Sequence, residues 1–283
     1  MNPDSEATAA IVKGCSFTLV ESLGLGAREM ISLVGAGGKT SLMFRLASEL
    51  VHQGRRVITT TTTRILEPSP EESSCLFIDS EEEKLGRFID GHLSSSRHIT
   101  IARERIDSNK LRGVSPGFVG EIWATKAIEY LIVEADGAAG RPVKAPREGE
   151  PVIPSDTTLA VALLGVDGMD LELREENVFR SERVSRLTGI SIGEKMTDDA
   201  MATLVTHPEG ILKGTPASSR VALFLNKIDT PNGMEKARKV ARKVLDRRYY
   251  RIERIVLGQL RRDPPVAEVW YRQDEWRRHE VKV

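Results

Sequence analysis

Met30-Ile31-Ser32-Leu33-Val34-Gly35-Ala36-Gly37-Gly38-Lys39-Thr40-Ser41 is the stretch that decides the fold. An apolar run enters a glycine turn, and the residues after it open a helical pattern through Leu42, Phe44, Leu46, Ala47 and Leu50. Strand, glycine turn, Lys-Thr and helix, in that order, wrap backbone N–H groups around a phosphate chain. The helix start adds unpaired N–H donors and the positive end of its dipole. Gly35, Ala36, Gly37, Gly38, Lys39, Thr40 and Ser41 are therefore expected to cradle a nucleoside triphosphate. Lys39 would span its terminal phosphates, and Thr40 would place a hydroxyl on magnesium. The usual long form, G-x-x-x-x-G-K-T, needs glycine at position 33, where Leu33 stands, so the loop is the shorter G-x-x-G-K-T. An ordinary turn before a helix explains neither the three glycines nor the adjoining Lys-Thr.

Further strands of the same kind follow. Tyr130-Leu131-Ile132-Val133, Leu159 to Leu164 and Val221 to Leu225 are continuous apolar runs, the pattern of parallel strands covered on both faces. They predict an α/β fold of P-loop NTPase type, a mostly parallel sheet flanked by helices. The expected domain covers 11–258, with a candidate insertion at 66–115 and a helical segment at 168–216; 259–283 reads as a C-terminal extension. Met1 to Ala10 reads as a loose tail, Phe17 to Leu23 as a short helix, and Phe118 to Tyr130 as a helix with Ile122, Ala127 and Tyr130 inward. Trp270 and Trp276 stand out as anchors in the polar C-terminal part.

The run at 131–133 ends in Glu134-Ala135-Asp136-Gly137, followed by Arg141. Strand alternation puts Glu134 and Asp136 on one face, where they can hold magnesium or orient an attacking group. Arg141 adds a mobile positive charge for a substrate anion. Lys144, stiffened between Pro142 and Pro146, is expected in a second wall of the pocket. Val57-Ile58 runs into Thr59 to Thr63, then Arg64. Ligands sit beyond the carboxyl ends of parallel strands, which brings Thr61, Thr62, Thr63 and Arg64 toward the phosphates; a purely structural threonine-rich strand is the competing view. His207 lies in a loop that touches substrate or caps a helix end.

Asn226-Lys227-Ile228-Asp229 directly follows the run at 221–225. Asp229 can accept from the ring N–H and exocyclic amine of guanine, whereas adenine presents an acceptor at that ring position. A charged bidentate pair of this kind is worth about 2 to 4 kcal/mol, enough to choose between purines. Lys227 can lay its stem along the base, and Asn226 can tie its loop to the glycine loop. GTP is thus favoured, with ATP as the other nucleotide.

Lys+Arg and Asp+Glu both total 41 among 283 residues, and no nucleic-acid-binding signature is present. Two cysteines cannot build a disulfide framework. No apolar run reaches the roughly 20 residues needed to cross a bilayer, and a cytoplasmic location with no membrane partner is expected.

Together the motifs resemble the selenium-dependent hydroxylase accessory protein family called YqeC. The likeness rests on Val34 to Ser41, Thr59 to Thr63, Glu134 to Gly137, Lys144-Ala145-Pro146, Glu150 to Pro154, His207 to Gly210, Lys213-Gly214 and Asn226 to Asp229. It implies a part in maturing the selenium-containing cofactor of molybdenum hydroxylases, with the client hydroxylase or other maturation proteins as partners. Arg64 stands where that family usually has histidine. The short glycine loop also resembles that of the Mur peptide ligases, and N-K-x-D resembles metallocentre-assembly GTPases of the signal-recognition class. Three functions follow as expectations: a magnesium-dependent assembly GTPase, an NTP-dependent ligase, kinase or nucleotidyltransferase acting on a small anionic acceptor, and a nucleotide-sensing scaffold.

Overall fold

A computed structural model of the chain describes residues 9–106, 109–247 and 251–272. The first elements are β1 (Ala9–Phe17), α1 (Leu19–Leu23), β2 (Glu29–Gly35), α2 (Lys39–His52), β3 (Val57–Thr61), β4 (Arg64–Leu66) and β5 (Leu76–Ile78). There follow α3 (Glu82–Ser96), β6 (His98–Ala102), β7 (Glu104–Ile106), β8 (Lys110–Arg112), α4 (Pro116–Ala124), β9 (Tyr130–Glu134) and β10 (Val143–Lys144). The last are β11 (Leu159–Gly165), β12 (Val178–Phe179), α5 (Ser181–Thr188), α6 (Asp198–Thr206), β13 (Arg220–Asn226), α7 (Gly233–Asp246), β14 (Ile252–Gly258) and β15 (Val266–Arg272).

One ten-stranded sheet, ordered β1-β15-β14-β13-β11-β2-β9-β3-β6-β5, carries the molecule. Every pairing from β14 through β5 is parallel, while β15 runs antiparallel to both β14 and β1. The fold is a mixed, mostly parallel α/β sheet flanked by helices. Alternate strand residues serve its two faces. Ile31, Leu33, Leu159, Val161 and Leu163 pack with α1 and α2, whereas Val34, Ala162 and Leu164 join the core under α5, α6 and α7. Met30, Ile58, Ile99 and Leu131 pack with α3 and α4 on that second face. Helix α2 buries Leu42, Met43, Phe44, Leu46, Ala47 and Leu50. Each large apolar side chain so buried contributes roughly 1.5–3 kcal/mol, which holds the start of α2 firmly over the centre of the sheet.

Several boundaries differ from those expected. Ala9 and Ala10 begin β1 rather than a tail, and Phe17 ends that strand; α1 starts at Leu19, where Thr18 and Glu21 form a reciprocal cap. Helix α4 opens on the Ser115 cap with Pro116 at its first turn and closes at Thr125, whose backbone is extended, so Tyr130 belongs to β9 and Ala127 is exposed. The expected insertion splits: β5, α3 and β6 widen the main sheet, and β4, β7 and β8 form a small antiparallel sheet. The extension from 259 is equally divided. Its strand β15 is integral to the sheet with Trp270 buried, and Trp276 lies outside the described residues. Among the described residues no helix is long and apolar enough to cross a membrane.

Candidate functional site

Strand β2 lies between β11 and β9, so the loop leaving it emerges at the middle of the carboxyl edge. The turn is pressed against its neighbours. A Cβ on Gly37, whose φ is +84°, would stand 2.3 Å from the Gly165 nitrogen, and one on Gly38, at φ +135°, 2.4 Å from Asn226 Nδ2. Only glycine meets both the close approach and the left-handed backbone. Helix α2 then starts at Lys39 with no side chain capping it, leaving its first N–H groups available to an anion.

Three charged groups close on that start. Lys39 Nζ donates to the Gly35 carbonyl at 2.7 Å and lies 3.2 Å from Asp136 Oδ1 and 3.6 Å from Glu134 Oε1. Burial alone pulls the Lys39 ammonium down, but Asp136 and Glu134 outweigh it and hold its pKa above the ordinary lysine value. Burial pushes the Glu134 carboxyl up, against the opposing pull of Lys39 and the Thr40 hydroxyl. Thr40 Oγ1 donates to Glu134 Oε2 at 2.8 Å. Asp136 Oδ2 accepts from Gly35 N at 3.0 Å and from Lys144 Nζ at 2.8 Å, while its Oδ1 is buried with no hydrogen-bond donor.

A Thr40 hydroxyl, a Glu134 carboxylate and an orphaned Asp136 oxygen are hard oxygen donors of the kind magnesium takes. Among the described residues no group of three or more His, Cys, Asp or Glu could hold a metal ion.

The segment after β9 behaves differently from expectation. Arg141 donates to the main chain, from Nε to the Glu175 carbonyl and from Nη1 to the Ala139 carbonyl, both at 3.2 Å at the surface. Lys144 is fully buried and bonds Asp136 and the Gly137 carbonyl, so it faces protein and not a pocket. Burial draws its pKa down against the pull of Asp136.

Asn226, at the end of β13, donates from Nδ2 to the Gly37 carbonyl at 2.7 Å and accepts from Leu260 N at 3.1 Å. Lys227, at φ +71°, pairs with Asp167 at 2.7 Å, and Asp229 Oδ2 lies 3.1 Å from Arg262 Nε. Beside them a cavity of about 400 Å³ opens between Ser41, Phe44 and Arg45 of α2 and Leu260 and Arg261, with Glu71 and Glu72 on its rim.

Other expected residues are not gathered here. The threonines stitch β3 to its neighbours: Thr61 Oγ1 donates to the Glu134 carbonyl and Thr62 Oγ1 to the Val152 carbonyl, both at 2.7 Å, and Thr63 N donates to Thr61 Oγ1 at 3.0 Å. Arg64 is exposed on β4, opposite Arg112 in the small sheet. His207 caps the end of α6 and accepts from Glu209 N. The chain beyond it, at Thr215 and Pro216, bonds Arg251 at the amino end of β14, the edge opposite the glycine loop. Two residues near the site were missed. Asp167 follows β11 just as Glu134 ends β9, and an acid beyond a buried apolar run was signal enough to find it. Arg262 gave no signal, since only the fold brings it to Asp229.

The sheet and its edge define a mostly parallel α/β protein with a glycine loop at the centre of its carboxyl edge. The profile of the YqeC protein family matches residues 31–182, and the chain belongs to that family. It is 30% identical over 250 residues to the Escherichia coli protein named "Uncharacterized protein YqeC", covering 88% of this chain and 94% of that one. Among solved structures it is similar to the signal recognition particle 54 kDa protein of Aeropyrum pernix in complex with GDP. There the TM-score is 0.34 at 15% identity, over 82% of this chain and 42% of that one, so the chain spans under half of that protein. FtsY of Mycoplasma mycoides is similar with a TM-score of 0.37 at 10% identity, over 90% of this chain and 66% of that one. These two likenesses concern the layout of sheet and helices alone.

Proposed function

We propose that this protein is a P-loop-type, magnesium-dependent GTPase. The observation that carries the reading is the convergence of Lys39, Thr40 and Glu134 on the uncapped start of α2. A triphosphate there takes the N–H groups of the glycine loop and the first helical turn. Lys39 moves from the Gly35 carbonyl and the carboxylates to the terminal phosphate oxygens, a short travel for a four-carbon stem. Thr40 and Glu134 would hold the magnesium, whose charge would offset that of the phosphates. Glu134 orients the attacking water. Asp229 exchanges Arg262 for the guanine edge, and the cavity beside Ser41 and Leu260 takes the nucleoside. Hydrolysis, rather than transfer to a small anionic acceptor, is favoured because Lys144, expected in the wall of an acceptor pocket, is fully buried among protein partners. The work done is maturation or insertion of the selenium-containing cofactor of a client molybdenum hydroxylase, the role implied by the family resemblance.

Calorimetric titration with the β,γ-imido analogues of GTP and ATP, with and without magnesium, tests this reading. Tighter binding of the guanine analogue, strengthened by magnesium, is expected, followed by slow GTP turnover that a client accelerates. Absence of binding by either analogue overturns it.

A further inference from the structure

We propose that Lys144 is a positioning residue that divides the two carboxylates beyond β9 between separate tasks. Asp136 becomes the anchor of the glycine loop, and Glu134 is left to serve the metal and the water. The assignment rests on the nucleotide reading above and goes further by separating the carboxylate that anchors the loop from the one that serves the chemistry.

The surroundings of the two acids differ. Asp136 is fully buried, and one oxygen, Oδ2, grips the Gly35 backbone N–H at 3.0 Å while taking the Lys144 ammonium at 2.8 Å. Lys144 itself has no slack. Its ammonium also donates to the Gly137 carbonyl at 2.6 Å and lies 3.4 Å from Glu150 Oε2, so its three protons are all directed at protein. Glu150 is held in turn by Arg180 at 2.7 and 3.0 Å and by Arg147 at 2.9 Å. The backbone on either side is fixed as well, because β10 pairs in parallel with β12 at Val143 and Lys144.

Glu134 has the Thr40 hydroxyl at 2.8 Å and Lys39 at 3.6 Å. When Lys39 swings to a phosphate, Asp136 keeps a buried cation at 2.8 Å, whereas Glu134 keeps only the Thr40 hydroxyl, a group that would ligate magnesium beside it. Asp136 Oδ1, 3.2 Å from Lys39, is freed by the same swing, but the charge behind it stays neutralised by Lys144 at Oδ2, which leaves it the weaker ligand for a divalent ion. The one beside Thr40 has both its charge and its position.

The test compares wild type with Glu134→Gln, Asp136→Asn, Lys144→Met and the double variant Asp136→Asn/Lys144→Met. The probe is the β,γ-imido analogue of GTP, titrated with and without magnesium. Glu134→Gln is expected to lose the gain that magnesium brings. Asp136→Asn and Lys144→Met are expected to lose about tenfold or more under both conditions. Amide exchange at 35–39 in ligand-free protein is expected to quicken in Asp136→Asn and Lys144→Met by more than in Glu134→Gln, because Asp136 alone takes a loop N–H. The double variant, which leaves no unpaired buried charge, should melt higher than Lys144→Met and bind no better than Asp136→Asn. It carries the comparison if Lys144→Met does not fold. A Lys144→Met protein that is merely less stable, with wild-type affinity and exchange, overturns the proposal. So does loss of the magnesium gain in Asp136→Asn instead of Glu134→Gln. If wild type binds no nucleotide the GTPase reading falls, and the exchange result alone decides whether Lys144 and Asp136 anchor the loop.

Discussion

Lys39 Nζ stands 3.2 Å from Asp136 Oδ1, in a spot where neither side chain has meaningful access to solvent. The lysine expected to meet phosphate thus already has two carboxylates for company, and its removal has two separate consequences. In the ligand-free protein, Lys39→Met takes from Glu134 its paired cation and leaves Asp136 with Lys144. Stability should fall by roughly 3 kcal/mol, the cost of breaking a buried pair from one side. Adding Glu134→Gln should restore much of that loss in urea unfolding. Triphosphate binding, measured by calorimetry, should be absent from both variants, because neither has a cation to reach the terminal phosphate.

A second prediction concerns His98, buried on β6 with Nε2 3.0 Å from Thr59 Oγ1. Burial lowers its pKa from 6.5 to about 4. Between those values the unfolded chain binds a proton that the folded chain refuses. The stabilisation is therefore complete above pH 6.5 and is lost as the pH falls toward 4, amounting to about 3 kcal/mol at most. Urea unfolding at pH 7 and pH 4.5 should show this slope in wild type, and His98→Gln should flatten it. Equal slopes in the two proteins would mean that His98 takes up its proton within the fold.

Asn226 supplies a third. Its amide pairs with the Gly37 carbonyl and the Leu260 N–H, two backbone groups 223 positions apart in neither strand nor helix register but joined through one side chain. Asn226→Ala leaves both without that partner in a buried place, and a loss of roughly 2 kcal/mol is expected. Asn226→Asp keeps the acceptor for Leu260 but turns a carboxylate oxygen on the Gly37 carbonyl, so it should be no more stable than the alanine variant. Chemical unfolding of the pair checks the order. Nucleotide affinity should weaken in both, because the glycine loop loses its tether to β13.

How far these relationships could be read from the chain depends on what produced them. The parallel core was legible because Met30 to Val34, Leu131 to Val133, Leu159 to Leu164 and Val221 to Leu225 are covered on both faces and carry continuous apolar side chains. Strand β15 was not, since Glu268 interrupts it. That carboxylate is buried beneath Arg238 and Trp270, partners visible only once the fold exists. The glycine loop and Asn226 could be placed because their spacing to adjoining strands is local. Lys144 could not: a lysine between prolines reads as the wall of a pocket, and its burial comes from Asp136 and Glu150 folding around it. The threonine run misled for a related reason. Its hydroxyls suit a ligand, but the carbonyls of Glu134 and Val152 lie closer.

The last prediction separates base recognition from phosphate recognition. Asp229 faces Arg262, whose side chain is 67% exposed, so the pair is a surface ion pair worth no more than about 1 kcal/mol. A guanine that takes both carboxylate oxygens gains more than that, and it displaces the arginine readily. Asp229→Ala should therefore erase the preference for guanine over adenine nucleotide while leaving binding of inorganic triphosphate untouched. Arg262→Ala should act the other way, raising guanine affinity by up to about fivefold with no effect on adenine nucleotide, since 1 kcal/mol sets the ceiling. Competition between GDP and ADP for a fluorescent nucleotide reads both variants. If Arg262→Ala weakens guanine binding instead, the arginine contributes to holding the base, and Asp229 does not read it alone.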